Sequence, residues 1–385
     1  MYIITKWSSI IDMIKLLHTG DIHLDCPFSG LDSRSAEIRR TELRSAFTSM
    51  MTYAKMNRAD MILIAGDVFD SDYVTRETLA LLQREFESFE KPIFITPGNH
   101  DCATPTSVWV KDIFPKNVHV FTDNKVTSVD LPELNTTVYG FAFTEPQMTH
   151  VPLVGNTVAD PARINLLLCH ADMVGPRSGN TNCPITADHL DAFGADYTAL
   201  GHIHNPPSPG HDGRWCYCGC LEPRAFDETG LKGACMVEIS KKNGDSNIAI
   251  KRVRFAKRRY ERAELLLNEP ETQADVRTAI ADFITENRLG EDTLLELKLT
   301  GFVHPSLVID TEAIEDWCTS LFLLKLIDAT RPSIDIDVLR DDITIRGEVY
   351  RKLKPMLDST DPREQEVALR ALRYALSALD GDNSF

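Results

Sequence analysis

No run of apolar residues in this chain approaches the roughly 18–20 that span a bilayer, so no segment reads as a membrane-crossing helix. Basic residues are the minority: 41 Lys and Arg stand against 57 Asp and Glu, a net charge of −16. That excludes a chain that coats nucleic acid by charge alone. It does not exclude a nucleic-acid enzyme, because acidic metal ligands inflate the count and bound cations invert the local field. Nine cysteines in 385 residues do not make a disulfide framework. Internal repeats and low-complexity segments are missing. Residues 1–12 lack the apolar core and small-residue cleavage site of a signal peptide, and Met13 is an alternative start. Together these absences point to a cytoplasmic protein. The remaining composition, 43% hydrophobic and 25% charged, is that of an ordinary globular chain long enough for two domains.

What the chain does have is one pattern used repeatedly: a short apolar strand, a sharp turn, then Asp or His. The stretch KPIFITPGNHD (91–101) shows it best, with Pro97-Gly98 ending the strand and delivering Asn99, His100 and Asp101. Ile14–Leu17 ends in Gly20-Asp21-Ile22-His23, and Met61–Ala65 ends in Gly66-Asp67. Ile164–Cys169 ends on His170, and Tyr197–Leu200 ends on Gly201-His202-Ile203-His204. Amphipathic helices are expected over 34–56 and 75–89. Strand and helix alternating with short turns is the mark of a layered α/β domain. Val118–Val129 and Thr137–Phe143 read as strands of a second sheet, and Arg214–Cys220 and Ala234–Ser240 as strands flanking a polar turn, 221–233. Beyond about 255 the texture changes to a smaller domain. It closes on a helix opened by Asp361-Pro362-Arg363-Glu364 and striped by Leu369, Leu372, Leu376 and Leu379.

The five turns supply two carboxylates (Asp21, Asp67), an amide (Asn99) and four imidazoles (His23, His170, His202, His204) besides His100. Mixed oxygen and imidazole ligands suit manganese, iron or zinc. Seven groups are too many for one ion with an open position but natural for two ions sharing a bridging carboxylate, a pair that clamps a displacement at phosphorus. D-x-H and H-x-H work as ligand pairs if alternate residues of extended backbone point one way. His100 is placed to move a proton, with Asp101 to orient its imidazole. A lone His such as His170, or a lone Gly-Asp turn, is commonly structural; five such turns, each closing a strand, are not. His18 reads as packed or supporting, and Asp70 and Asp72 as helix caps or ligand-holding groups. His119, His150, His189, His211 and His304 fit no spacing and read as structural or surface. Cys216, Cys218 and Cys220 would share a strand face, as buried small residues rather than a metal or redox site.

The five turns resemble those of the calcineurin-like metallophosphoesterase superfamily. HTGDIHLDCPFSGL (18–31), ALGHIHNP (199–206) and YCGCLEPRAFDETGLKGACMVEI (217–239) more narrowly resemble the DNA repair exonucleases of the Mre11 and SbcD type, especially the bacterial YhaO-like branch. The resemblance covers about 13–255 well and the rest loosely. Cys218 and Cys220 stand where relatives usually carry Pro and Ser, and some relatives have His where Asp70 stands. The resemblance implies a four-layer α-β-β-α double β-sandwich over 13–255 and a smaller α+β capping or partner-binding domain over 256–385. It implies one ion held by Asp21, His23, Asp67 and His204, and a second by Asp67, Asn99, His170 and His202, manganese foremost. Hydrolysis would use a hydroxide shared by both ions, with His100 protonating the leaving sugar oxygen and Asp101 fixing its tautomer.

The implied function is a DNA nuclease, an exonuclease of repair. Its implied partners are an SMC-like ATPase of the Rad50 or SbcC type and a second copy of the chain in a homodimer. The basic run Lys251, Arg252, Arg254, Lys257, Arg258 and Arg259 is the best phosphate path, with a solvated sheet edge as its plain alternative. The leucine stripe would dock a partner helix or pack on its own domain. Two rivals remain: a phosphoesterase for a small substrate, and a scaffold that has lost catalysis.

Overall fold

The computed structural model describes residues 13–71, 73–174, 182–206, 213–305, 307–333 and 336–379; residues 1–12, Asp72 and His211 lie outside them. The chain divides into two compact units, one ending at Lys257 and the other starting at Arg258.

The first unit runs β1 (Met13–Thr19), α1 (Ser33–Met56), β2 (Met61–Ala65), α2 (Arg76–Phe89), β3 (Ile93–Thr96) and β4 (Val118–Val120). It continues through β5 (Thr127–Leu131), β6 (Thr136–Gly140), β7 (Ile164–His170), β8 (Asp172–Met173), β9 (Pro184–Ile185), α3 (Ala187–Phe193), β10 (Tyr197–Gly201), β11 (Trp215–Tyr217), β12 (Gly233–Lys242) and β13 (Asp245–Arg254). One sheet has the order β13-β12-β1-β2-β3-β4, the other β11-β10-β7-β6-β5. Strands β1 to β4 run parallel, as do β6, β7, β10 and β11.

Alternation along the strands builds the layers. Ile62, Ile64, Ile93 and Ile95 pack with Phe47, Met50, Leu82 and Phe86 of α1 and α2. Met61, Leu63 and Phe94, on the opposite face, meet Val138, Leu166 and Ala199 of the second sheet. The far side of that sheet, Tyr139, Leu167 and Leu200, packs with Leu190 and Phe193 of α3. Helix, sheet, sheet, helix is the four-layer arrangement expected. The central strands are covered on each side, which is why β2, β7 and β10 are buried along their whole length, whereas the edge strands β5 and β13 alternate with polar, exposed residues.

Val118–Val129 is not one strand. β4 extends the first sheet beside β3, and the polar segment Thr122–Lys125 carries the chain across to β5 of the second. Likewise β11 stops at Tyr217, because Gly219 takes a left-handed φ of 75°. Cys218 and Cys220 therefore lie on a turn. All nine cysteines are buried thiols, none of them in a disulfide, as small side chains of the interior.

The second unit comprises β14 (Arg259–Asn268), α4 (Gln273–Glu286), β15 (Thr293–Val303), α5 (Thr311–Trp317), β16 (Leu323–Asp328), β17 (Arg331–Pro332), α6 (Ile336–Asp341), α7 (Ile345–Leu357) and α8 (Pro362–Leu379). β14, β15 and β16 are parallel, and Leu295, Leu297 and Leu299 pack with Val276 and Ile280 of α4. Asp361 caps α8, its carboxylate accepting from the Arg363 N–H at 2.9 Å. Leu372 and Leu376 pack with Leu339 and Tyr350 of the same unit, whereas Leu379 is exposed. No helix among the described residues is long and apolar enough to cross a membrane.

Candidate metal centre

Parallel strands deliver the candidate ligands at their C-terminal ends, where α/β sheets place their sites. β1 is followed by Asp21 and His23, β2 by Asp67, and β3 by Asn99; β7 ends on His170, and β10 is followed by His202 and His204. Extended backbone does not aim these groups, contrary to the expectation from D-x-H and H-x-H spacing. Asp21, His23, Asp67 and His202 have φ of 47°, 52°, 49° and 103°, which are turn conformations uncommon outside glycine. Close approach sets the glycines: a Cβ on Gly98 would lie 2.1 Å from Asp67 Oδ1, and one on Gly201 1.8 Å from the Ala65 carbonyl oxygen.

The result is a convergence of lone pairs. Asp21, His23, Asp67 and His204 each present one ligand atom, all within 4.8 Å of one another. His23 Nε2 and His204 Nε2 stand 3.2 Å apart, and His204 Nε2 is 3.5 Å from Asp21 Oδ1. On the other side of Asp67, His170 Nε2 is 3.0 Å from Asn99 Oδ1 and 3.2 Å from His202 Nδ1. Asp67 Oδ2 reaches both groups, 3.7 Å from His23 Nε2 and 3.4 Å from His170 Nε2. Asp21, His23, Asp67 and His170 are all buried. Protons cannot satisfy so many facing acceptors at once; divalent cations can, so the donor set fits a metal centre of oxygen and imidazole type.

Electrostatics point the same way. Burial, then the charge of Asp21, pushes the Asp67 carboxyl up to about 7. Burial also opposes ionisation of Asp21, yet the hydrogen bond and charge of His204 hold it below the usual carboxylate range. His204 is raised to about 10: burial disfavours its charge, but hydrogen bonds to Asp21 and Glu228 outweigh that. Burial and His170 take His202 down to about 4, and burial lowers His23 and His170. Protons and cations would therefore compete for the lone pairs of His204 and Asp67.

Two expectations need correction. Asp101 does not orient His100. Its Oδ1 accepts from the Gly98 N–H at 2.8 Å, and its Oδ2 from the Val68 and Phe69 N–H groups at 2.8 and 3.2 Å. It ties the turn after β3 to the turn after β2, because a buried carboxylate bonds the nearest unpaired backbone donors. His100 is exposed, and its Nδ1 instead lies 3.1 Å from the Asp70 carbonyl oxygen.

The basic run is not a continuous phosphate path. Arg252 reaches inward to the carbonyls of Cys218 and Tyr217, and Arg254 bonds the Ala256 carbonyl. The Lys257 ammonium lies 3.4 Å from Glu42. Arg258 bonds the Glu291 carbonyl and covers Phe322, while Arg259 bonds the Arg288 carbonyl and Thr293. Lys251 is exposed. Backbone carbonyls left at strand ends and turns have claimed these guanidinium groups.

His18 is packed, 2.9 Å from the Tyr197 hydroxyl, with burial taking it down to about 3. His189 closes the cap of α3, and His119 packs by Phe121. Sequence reasoning missed the polar support. Asp25 accepts from the Thr75 N–H, from Thr78 and from Arg44, anchoring the start of α2. Arg224 and Glu228, in the turn 221–233, reach the candidate ligands: Glu228 Oε1 is 2.7 Å from His204 Nδ1. Asp70 Oδ1 is 3.1 Å from His23 Nδ1, a hydrogen-bonding distance with poor alignment. The signal was a 13-residue turn with five charged side chains between two apolar strands, too rich in charge for a mere connection.

Comparison with known proteins bears on this arrangement. The profile of the calcineurin-like phosphoesterases matches residues 14–206. An uncharacterized metallophosphoesterase, YhaO of Bacillus subtilis strain 168, is 28% identical over 305 residues, covering 75% of this chain and 69% of that protein. Among solved structures, TT1561 of Thermus thermophilus is 11% identical with a TM-score of 0.36, covering 62% of this chain and 98% of that one. Vacuolar protein sorting 29 of Cryptosporidium parvum is 14% identical with a TM-score of 0.29, covering 63% and 98%. With half of its length under that profile, the chain belongs to the calcineurin-like phosphoesterase family, hydrolases of phosphoesters that work with a dinuclear metal centre.

Proposed function

We propose that the first unit is a DNA nuclease, an exonuclease of repair in the cytoplasm, hydrolysing phosphodiesters with two manganese ions. The observation that carries the hydrolytic part is the convergence of Asp21, His23, Asp67 and His204, with Asn99, His170 and His202 on the other side of Asp67. Asp21, His23, Asp67 and His204 would hold one ion, and Asp67, Asn99, His170 and His202 the other. When bound, the pair supplies Lewis acidity at the phosphate and acidifies water. The chain's own residues do the rest. Asp67 keeps the two ligand groups in register, and the Gly98 and Gly201 approaches fix its surroundings. His100 donates its Nδ1–H to the Asp70 carbonyl, so as the imidazolium, with both ring nitrogens protonated, it can give the Nε2 proton to the leaving oxygen and is left as the neutral Nδ1–H form.

DNA as the substrate is supported by the stretches 18–31, 199–206 and 217–239, which resemble those of repair exonucleases. The second unit is then the capping and partner-binding domain, its partner an SMC-like ATPase, with two copies of the chain pairing. One observation favours a small phosphodiester instead: the internal bonding of Arg252, Arg254, Arg258 and Arg259. Manganese-loaded protein assayed on 3′-labelled duplex DNA and on bis(4-nitrophenyl) phosphate separates the readings. Shortening of the duplex supports the nuclease. Turnover of the small ester alone replaces it with a small-substrate phosphodiesterase, and inactivity on both leaves a scaffold.

A further inference from the structure

The turn 221–233 holds a charged group that lies behind the ligand atoms, largely out of solvent. Arg224 is 16% exposed at its side chain and lies between two carboxylates. Its Nη1 donates to Asp70 Oδ1 at 2.8 Å, and its Nη2 to Glu228 Oε1 at 3.2 Å. Its own backbone N–H donates to Glu228 Oε2 at 2.6 Å. Each carboxylate in turn faces the outer nitrogen of one imidazole: Glu228 Oε1 is hydrogen-bonded to His204 Nδ1 at 2.7 Å, and Asp70 Oδ1 lies 3.1 Å from His23 Nδ1, close but poorly aligned. His23 and His204 belong to the same ligand group, with Asp21 and Asp67. His170 is backed differently, its Nδ1 bonding the Ala65 carbonyl.

We propose that Arg224 is a positioning residue: one guanidinium joins Asp70 to Glu228, so that the two carboxylates hold His23 and His204 with their Nε2 atoms turned to a shared ion. This rests on the metal-centre reading above and adds which residues outside the ligand set decide the strength of one of its two sites. The chemistry is that of a carboxylate behind a ligating histidine, which fixes the tautomer and ring orientation. Here the two supports are coupled, because Arg224 Nη2 also sits 3.0 Å from His204 Nδ1 and Glu228 Oε1 must accept from both. A planar fork aims one fixed donor at each carboxylate, whereas an ammonium is a point charge whose donors do not hold the two in a set direction. The turn is itself anchored: Arg39 is buried against Glu222 at 2.8 Å and the Pro223 carbonyl at 2.9 Å. His23, Asp70 and His100 also cluster closely enough for a cation, but Arg224 already supplies the positive charge at Asp70 Oδ1.

The test is manganese titration of the full chain by calorimetry, with electron paramagnetic resonance of the same samples. Wild type should take two ions and show the spin-coupled signal of a pair. Arg224→Met should weaken one site about 10–100-fold and leave the other unchanged, so that limiting manganese gives a mononuclear signal. Arg224→Lys should fail to restore the site, and Arg224→Met added to Asp70→Asn with Glu228→Gln should cost nothing further. If Arg224→Met does not fold, Glu228→Gln, an isosteric change, carries the same one-site weakening. Two unchanged sites in Arg224→Met, or full rescue by lysine, would overturn the positioning role. Fewer than two ions in wild type would instead fault the metal-centre reading.

Discussion

Both units contain a parallel sheet backed by helices, and they treat charge in opposite ways. In the second unit the charged side chains of the sheet stay at the surface, as where Glu296 on β15 bridges Arg262 on β14 and Lys325 on β16 at 2.9 and 2.8 Å. In the first unit the strands end in buried Asp and His that face one another without enough protons to go round. Burial of unpaired like charge is unfavourable, and a stable fold keeps it only where something else is to be bound. The contrast shows where this chain has given up stability for function.

Breaking the contrast at its centre should have the largest effect. Asp67→Asn removes the shared carboxylate, so turnover should fall at least about 100-fold. The same change relieves repulsion from Asp21, and the metal-free melting temperature at pH 8 should rise by about 2–4 °C. A lower melting temperature would mean Asp67 is not a strained group. Next comes His100→Ala, which should keep both ions by metal analysis while kcat drops about 10²–10⁴-fold.

Asp101→Ala should destabilise the first unit by about 2–4 kcal/mol in urea titration, because Gly98, Val68 and Phe69 lose their acceptor. The pH dependence follows from the carboxyl groups. Asp67 and Asp101 are each raised to about 7, above their unfolded values. Their contribution is present at low pH and is lost as pH rises from about 4 through 7 in the metal-free protein. A divalent ion bound there would require Asp67 ionised and His204 without its Nε2 proton, so the stabilising shift in melting temperature on adding manganese should grow between pH 5 and 8. A shift independent of pH would count against this. The smallest effect belongs to the second unit: Glu296→Gln should cost less than about 1 kcal/mol and leave turnover unchanged.

The sequence disclosed most where residue type and position are both unusual. Short apolar runs closed by Gly and Asp or His marked β1, β2, β3, β7 and β10, because only strands buried on both faces tolerate such runs. It disclosed less where contacts across the fold decide. Val118–Val129 looked like one strand, since nothing local says that β4 and β5 belong to different sheets. Neighbourhood in sequence suggested that Asp101 serves His100, but three backbone donors from two turns compete for the same carboxylate and win. A run of lysine and arginine says nothing about which carbonyls its side chains will meet, and Arg252 turned inward. Arg224 and Glu228 lay in a turn whose charge was visible, but their partner His204 is 20 and 24 residues away.

The claim on which the account depends is tested most directly by anomalous diffraction from crystals soaked in manganese. Two peaks about 3.5–4 Å apart are expected, with Asp67 between them and His23, His204, His170 and His202 disposed around the pair. A single peak, or two with the Asp67 carboxylate turned away from both, would contradict it.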